Sequence, residues 1–383
     1  MTVINKYTVG LLIILSSACS SNPEMDCEIS HKLIQVKPAI EFGIDAAGLQ
    51  YAHDKSFVYE QSNLVYYVGL DEKANSLDMY DLLGRSFFKR LKAPFNNRNG
   101  IKITDFYIHN LDSIFLYSDI SFSLQLINVK GDLIEQYNLR EDDNFVEWFS
   151  DGLLVEVEGW ESRIQYDSVT KKILIPVVPN LEDSKINTMI TYSIERRKFL
   201  DIGALVPPDI VPNELHPAKN IEWYSVLSFD ADKIVSSHYG SSFLSVGTLS
   251  SGSSQCFCRP SNMVDIEDEG EQLSIEKKRE LIGSNGMYLD GFYAPYKSKY
   301  IVAVRNKQSY KNSEGLVNNV HHADISILVL NDKFEVEKEM VLQNDLYNYK
   351  HIYPMRDKIL VLKENPNDLY NSEDTLYFSL FDY

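Results

Sequence analysis

The sequence predicts an all-β protein, and more specifically a six-bladed β-propeller. Three observations lead to this prediction. The composition favours strands, with 24 Tyr and 18 Phe among 383 residues. No long segment shows the periodicity of an amphipathic helix. A pattern of two hairpins recurs at roughly 40 to 50 residues, which is the usual length of a four-stranded propeller blade.

Six units carry this pattern, and each combines two kinds of hairpin. The outer kind is a strand, a tight turn and a second strand, and it is clearest in residues 77–91 and 124–139. We expect Gly84 to adopt the positive φ that such a turn requires. The inner kind has an Asp-centred turn and is clearest in residues 103–117. The six units span residues 51–93, 101–140, 145–206, 221–260, 287–343 and 349–383.

The last unit supplies only three convincing strands. Residues 31–37 are predicted to add the missing strand, which closes the ring and removes an exposed sheet edge. Short strands with regular turns are also compatible with seven blades or with a β-sandwich, and these alternatives stay open here. Within the long connection at residues 261–286, residues 274–281 are predicted to form a short helix. The other long connections are residues 207–220 and 306–322.

The N-terminus has the layout of a secretory signal peptide. A single cation precedes the apolar run at residues 9–15, and small residues lead from this run to Cys19. The run is shorter than the roughly 20 residues of a transmembrane helix. We therefore expect residues 1–18 to be removed, residues 19–30 to form a tether and residues 31–383 to form the propeller domain.

Residues 15–19, Leu-Ser-Ser-Ala-Cys, resemble the lipobox of bacterial lipoproteins. The resemblance implies that Cys19 is acylated, and each buried methylene of an acyl chain contributes about 0.8 kcal/mol of membrane affinity. Ser16 stands where the lipobox usually has leucine, and the alternative is an ordinary thiol in a conventional secretory peptide. Ser20, rather than aspartate, follows the cysteine, which in lipoproteins implies transfer to the outer membrane. The predicted location is the cell envelope, on its periplasmic or surface face.

Charge and cysteine usage limit the possible partners. The chain has 37 Lys and Arg against 55 Asp and Glu, a formal charge of −18. Such a chain repels phosphate-rich ligands at long range, so nucleic acid is not an expected partner. The spacing of Cys256 and Cys258 fits neither a zinc site nor a disulfide framework. We expect them to be buried free thiols on one face of a strand, with their redox state left open.

Four segments together resemble a known family. They are the lipobox, residues 110–116, the turn at residues 129–134 and the acidic-aromatic residues 373–378. The chain is similar in these segments to a family of Bacteroidetes lipoproteins classed as domain of unknown function 4221. The resemblance implies a TolB-like six-bladed propeller outside the cytoplasm. It carries over no catalytic residues, because the matching segments belong to the scaffold.

Most enzyme motifs are absent from the sequence. It contains no His-Glu-x-x-His pair, no nucleophile elbow, no Walker loop and no dinucleotide-binding glycine pattern. His321 and Asp324 are the best candidates for metal ligands. Neighbouring side chains on a strand, such as those of His321 and His322, point to opposite faces. We therefore predict neither a metal site nor a cofactor. The acidic run at residues 265–271 lacks EF-hand spacing and is expected to be a solvated loop.

The aromatic residues Trp148, Trp160, Trp223 and Tyr293 are candidate ligand-binding residues, because their rings stack on sugars and on peptide side chains. Packing between blades is the alternative for each of them. Long loops on a closed scaffold, without a catalytic signature, favour a non-enzymatic module that binds a protein, peptide or glycan. The alternative is an envelope hydrolase or lyase that acts on polysaccharide through an unrecognised pair of carboxylates.

Overall fold

The structure is a computed structural model that describes residues 33–35, 40–45, 55–94, 101–142, 164–176, 189–200, 228–230, 233–237, 244–248, 254–258, 274–294, 296–318, 322–332, 335–342, 346–347, 351–363 and 375–383. These residues confirm the all-β prediction. Their only α-helix is α1 (Ile275–Ser284), which also confirms the predicted helix, and Leu139–Glu141 form one turn of 3-10 helix. No helix in the described ranges has the length and hydrophobicity to cross a bilayer.

The described strands form six sheets, defined as follows. The chain begins with β1 (Leu33–Gln35) and β2 (Ile40–Asp45). Sheet 1 contains β3 (Ser56–Gln61), β4 (Leu64–Asp71), β5 (Ser76–Asp81) and β6 (Ser86–Lys92). Sheet 2 contains β7 (Asp105–Asn110), β8 (Ser113–Ser118), β9 (Ser123–Ile127) and β10 (Leu133–Asn138). Sheet 3 contains β11 (Gln165–Asp167), β12 (Lys172–Pro176), β13 (Met189–Ser193) and β14 (Lys198–Leu200).

The second half of the chain repeats this order. Sheet 4 contains β15 (Ser228–Asp230), β16 (Lys233–Ser237), β17 (Leu244–Thr248) and β18 (Ser254–Cys258). Sheet 5 contains β19 (Met287–Ala294), β20 (Lys299–Arg305), β21 (Ile325–Leu330), β22 (Val336–Leu342) and, at its edge, β1. Sheet 6 contains β23 (Ile352–Pro354), β24 (Lys358–Leu362), β25 (Thr375–Asp382) and, as its fourth strand, β2.

The first strands of neighbouring sheets contact one another, as they do around the axis of a propeller. The contacts join β11 to β7, β7 to β3, β3 to β23, β23 to β19 and β19 to β15. Within each sheet, strands that follow one another in the chain are antiparallel neighbours. The described part of the fold is therefore propeller-like.

The hydrophobic core lies between the sheets, and β4 shows why. Tyr66, Val68 and Leu70 pack in the cluster between sheets 1 and 2. Val65 and Tyr67 point the other way, into the cluster between sheets 1 and 6. Similar clusters join sheets 5 and 6 and sheets 2 and 3. Because the strand is covered on both faces, its sequence is continuously apolar and does not alternate.

The prediction that residues 31–37 complete the last sheet is wrong in detail. Within that segment β1 pairs in parallel with β22 of sheet 5, and it is β2 that pairs with β25 in sheet 6. Gly43 explains why β2 is the strand that pairs with β25, because a Cβ at this position would lie 2.8 Å from Thr375 Cγ2 and 3.2 Å from Tyr377 Cε1. Only a residue without a side chain allows the strand to approach β25 so closely.

One turn prediction also needs correction. The left-handed residue in the turn after β5 is Arg85, with φ of 54°, and not Gly84. Gly84 instead allows a close approach, because a Cβ there would lie 2.7 Å from Asp81 Oδ2. In the corresponding turn of sheet 2, Gly131 does adopt a positive φ, of 88°.

Candidate ligand-binding end of the propeller

The two ends of the sheets differ in their connections. The turns between first and second strands, and between third and fourth strands, contain two to five residues. We call their side the short-turn end. The connections between second and third strands, and those between sheets, contain four to 28 residues and cross the opposite, long-loop end. Binding residues of propellers and other rigid scaffolds are usually found on such connections.

The sequences of the two kinds of connection also differ in charge. Counted between the strand bounds, the connections that join strands at the long-loop end contain 31 Asp and Glu against 16 Lys and Arg. The short turns contain 7 acidic and 8 basic residues. The longer connections therefore carry the excess of acidic residues in the sequence, and most of these acidic residues lie outside the described ranges.

Polar side chains join neighbouring sheets where the first strands begin. Lys55 Nζ donates to the carbonyl of Thr104 at 2.7 Å, which links the start of β3 to the start of β7. Asp105 Oδ2 accepts from the backbone N–H of Ile164 at 2.7 Å, which links β7 to the start of β11. Asp105 is only 5% exposed. These bonds place the starts of three first strands side by side at the long-loop end.

A buried trio of polar side chains joins sheets 1 and 6 at the same end. Ser56 Oγ lies 2.5 Å from Tyr353 Oη and 3.2 Å from His351 Nδ1. Tyr353 Oη lies 2.8 Å from the same imidazole nitrogen. All three residues are buried. Hydrogen-bonded polar groups of this kind fix the relative position of two sheets, because each group is costly to leave unpaired.

Several buried polar atoms near this end have no hydrogen-bond partner. They are Ser76 Oγ, Tyr117 Oη, Asp119 Oδ1, Asn306 Oδ1 and Ser326 Oγ, each in or next to the first or last residues of a strand at the long-loop end. Gln125 Oε1, in the middle of β9, is also unpaired. Burial, reinforced by the charges of Asp119 and Asp105, raises the pKa of Tyr117 well above its ordinary value. In folded proteins such groups are usually completed by ordered water, an ion or a ligand.

Aromatic side chains lie along the first strands of sheets 1 to 3. Phe57 and Tyr107 have ring centroids 6.0 Å apart, and His109 meets Tyr166 edge to face at 5.2 Å. Burial is the main cause that raises the pKa of Tyr107. These rings lie on the innermost strands, where a propeller has its central channel.

Two of the predicted site residues, Tyr293 and Asp324, lie in the described ranges. Tyr293 lies half-buried in β19, with its ring 4.9 Å from that of Tyr300 in the neighbouring strand. Asp324 is exposed. The predicted residues outside the described ranges are Cys19, Trp148, Trp160, Trp223 and His321.

Metal ligands and free thiols are the remaining predicted features. No group of three His, Cys, Asp or Glu side chains that could hold a metal occurs in the described ranges. Cys256 and Cys258 both lie in β18, where the register against β17 shifts. The acidic run at residues 265–271 lies outside the described residues. The predicted signal peptide and tether, residues 1–30, also lie outside the described residues.

Sequence reasoning missed Ser56, Asp105, Tyr117, Asp119 and His351. One signal was present, because Ser56 and Asp105 are polar residues that directly precede the aromatic and aliphatic residues of their first strands. The pairing of Ser56 with His351 had no such signal, since 295 positions separate them in the chain.

The fold is similar to those of two solved Bacteroides proteins. A member of the DUF4221 family from Bacteroides vulgatus superposes with a TM-score of 0.66 at 14% identity, over 91% of this chain and 99% of that one. A putative exported protein from Bacteroides fragilis superposes with a TM-score of 0.52 at 7% identity, over 92% of this chain and 98% of that one. No protein-family model and no curated protein matches the sequence. At such low identities the likeness shows the fold alone, and that fold is the propeller-like one described above.

Proposed function

We propose that this chain is a lipid-anchored binding module of the cell envelope, a closed ring of six blades whose long-loop end engages a protein, peptide or glycan. The observation that carries the proposal is the one-sided placement of long acidic connections and unpaired buried polar atoms. A scaffold that needed only stability would have no reason to concentrate both at one end.

The location rests on the N-terminal sequence. The signal-peptide layout and the lipobox-like segment that ends at Cys19 support export and acylation. One of the structural neighbours also has the name of an exported protein. Nucleic acid is an unfavourable partner for a chain with a formal charge of −18.

The direction of β1 supports one orientation at the membrane. β1 runs parallel to β22, and β22 runs from the short-turn end to the long-loop end. The chain therefore enters β1 from the side of the short-turn end. With an anchor at Cys19, we expect the short-turn end to face the membrane and the long-loop end to face away from it.

A pair of charge-reversal variants tests the binding end. Glu72→Lys with Glu314→Lys alters two exposed acidic residues at the long-loop end, whereas Asp112→Lys with Asp332→Lys alters two at the short-turn end. We expect a ligand found on glycan or peptide arrays, or by crosslinking in envelopes, to be lost only by the first variant. Equal effects of the two variants would contradict the proposal, and so would the absence of any ligand for the unmodified protein.

The anchor has a separate test. Radiolabelled palmitate should enter the unmodified protein, whereas Cys19→Ala should remain unlabelled and leave the membrane fraction. Equal labelling of both proteins would refute the lipid anchor without affecting the proposed binding end.

A further inference from the structure

Large apolar side chains are exposed at the short-turn end of sheet 1. Leu83, in the turn between β5 and β6, is 63% exposed. Phe87 and Phe88 follow near the start of β6 and are 49% and 46% exposed. The ring of Phe87 meets Tyr80 edge to face, with centroids 5.4 Å apart, and that of Phe88 lies 4.8 Å from Tyr66. The two rings therefore lie on both sides of the outer strand and keep part of their surface in solvent.

The short-turn end is apolar in other sheets as well. Further large hydrophobic residues are exposed there in sheets 1, 2, 3, 5 and 6, namely Leu64, Ile134, Val169, Tyr296 and Ile40. We call these five residues, together with Leu83, Phe87 and Phe88, the short-turn rim. Among the described residues, eight of the twelve exposed large hydrophobics belong to this rim. Such a concentration on one side of a molecule marks an interaction surface.

Contacts between sheets place the rim on one face of the propeller. Lys89 Nζ, in sheet 1, donates to the carbonyl of Val129 in sheet 2 at 2.8 Å. The guanidinium of Arg356, in sheet 6, lies 4.8 Å from the ring centroid of Tyr296 in sheet 5. The backbone N–H of Arg356 donates to Glu60 Oε2, in sheet 1, at 2.6 Å. An ion pair joins sheets 2 and 3 at the same end. The five sheets that carry the rim are thus connected to one another at this end.

The sequence around the rim residues of sheet 1 is basic. Residues 82–92 contain four basic residues and no acidic one, although the whole chain has a formal charge of −18. Arg85 is exposed in the same turn as Leu83, and Lys89 directly follows Phe88. Apolar side chains at a membrane surface enter the boundary between headgroups and acyl chains, and cations beside them attract anionic lipids.

We propose that the short-turn rim docks on the surface of an anionic phospholipid bilayer. Leu83, Phe87 and Phe88 enter the interface, while Arg85 and Lys89 approach the lipid phosphates. A bilayer fits the rim because a planar surface contacts the turns of five sheets at once. The inference deepens the proposed function and rests on its envelope location, since the chain also enters β1 from this end. Docking of this kind is weak alone, and it sets the orientation of a protein that the lipid anchor retains.

Vesicle binding by the soluble Cys19→Ala protein tests the docking without the anchor. We expect this protein to bind vesicles of phosphatidylethanolamine with phosphatidylglycerol at least about fivefold more tightly than vesicles of phosphatidylcholine. Adding Leu83→Ser and Phe87→Ser should weaken the binding at least about tenfold, because two apolar side chains leave the interface. Adding Ile120→Ser and Leu316→Ser is the control, since both residues are exposed at the long-loop end. The control should bind as tightly as Cys19→Ala alone.

A second measurement uses the acylated protein, reconstituted in vesicles of brominated lipid. The fluorescence of the indole in Phe88→Trp should be quenched severalfold more than that of the indole in Leu316→Trp. The chain contains three tryptophans, which are common to both variants. The difference from the unmodified protein therefore reports the new indole.

Equal weakening by the two pairs of serine substitutions, or equal quenching of the two indoles, would overturn the proposal. The absence of vesicle binding by Cys19→Ala would do so too. A dimer that forms without vesicles and is dissociated by Leu83→Ser with Phe87→Ser would show that the rim binds a second copy instead. None of these results changes palmitate labelling at Cys19 or the test of the long-loop end, so a failure of the docking is distinguishable from a failure of the proposed function.

Discussion

The short-turn end and the long-loop end of the sheets differ in how deeply their hydrogen bonds are buried. At the short-turn end, polar side chains cap their own turns. Asp81 Oδ1 accepts from the N–H groups of Leu83 and Gly84, and Asn128 Oδ1 accepts from those of Lys130 and Asp132. These bonds span two to four positions in the chain and fix the register of one hairpin.

At the long-loop end the bonds reach between sheets. Those of Lys55, Asp105 and Ser56 span 49, 59 and 295 positions. Bonds between sheets also occur at the short-turn end, such as that from the Arg356 N–H to Glu60 Oε2, but this bond is exposed. The bonds of Asp105 and Ser56 are buried, and a buried polar group is the more costly to leave unpaired. We therefore expect substitutions at the long-loop end to lower the free energy of unfolding more than comparable substitutions at the short-turn end.

The largest contrast is expected between two ion pairs of sheets 1 to 3. Arg90 bonds both oxygens of the buried Asp78, at 2.7 and 2.6 Å, in the long-loop half of sheet 1. Arg90→Met leaves that carboxylate buried without its cation and should cost about 3 kcal/mol of unfolding free energy. At the short-turn end Arg197 pairs with Glu135, and both are exposed. Arg197→Met should cost less than about 1 kcal/mol. Urea denaturation measures the loss of unfolding free energy in both variants, and equal losses would contradict the expected contrast.

A smaller contrast is expected between two tyrosine hydroxyls of sheets 1 and 6. Tyr353→Phe removes two buried bonds, those to Ser56 and His351, and should cost about 1 to 3 kcal/mol. Tyr59→Phe removes a bond to Gln61, whose side chain is exposed at the short-turn end of β3, and should cost about 0.5 kcal/mol. Thermal unfolding should rank the two variants in this order. A greater loss of stability in Tyr59→Phe than in Tyr353→Phe would contradict the expected order.

The smallest effect is expected in a comparison of two glycines with positive φ. Gly131, with φ of 88°, lies in a short turn, and Gly315, with φ of 80°, lies in the long connection after β20. Neither would bring a new Cβ within 4 Å of another atom, so alanine changes only the backbone preference. Gly131→Ala should cost about 1 kcal/mol, because the turn sets the register of β9 and β10. Gly315 also lies in a tight turn, but this turn joins only the isolated bridge between Lys311 and Val317. Gly315→Ala should therefore lower the melting temperature less. Equal losses in calorimetry would contradict this difference.

The sequence predicted the features that are local. Hairpins such as residues 124–139 were found because turn chemistry and apolar strands occur within one short window. The N-terminal strand was assigned to the correct part of the chain but to the wrong sheet, since the choice depended on the space beside Thr375 and Tyr377 at Gly43. The candidate site was missed because Asp105, Tyr117 and His351 are ordinary residues in sequence. They become distinctive only when burial leaves their polar atoms few partners.

The pairing of β2 with β25 has a consequence for the order of folding. β2 is among the first described strands to be synthesised, and β25 is the last. β2 must therefore wait as an unpaired edge until β25 has been made. Contacts of such high contact order form slowly, because loop closure costs entropy before any pairing is gained. Closure of sheet 6 is thus a late step in folding, and a chaperone that shields residues 40–45 would protect the protein in that interval.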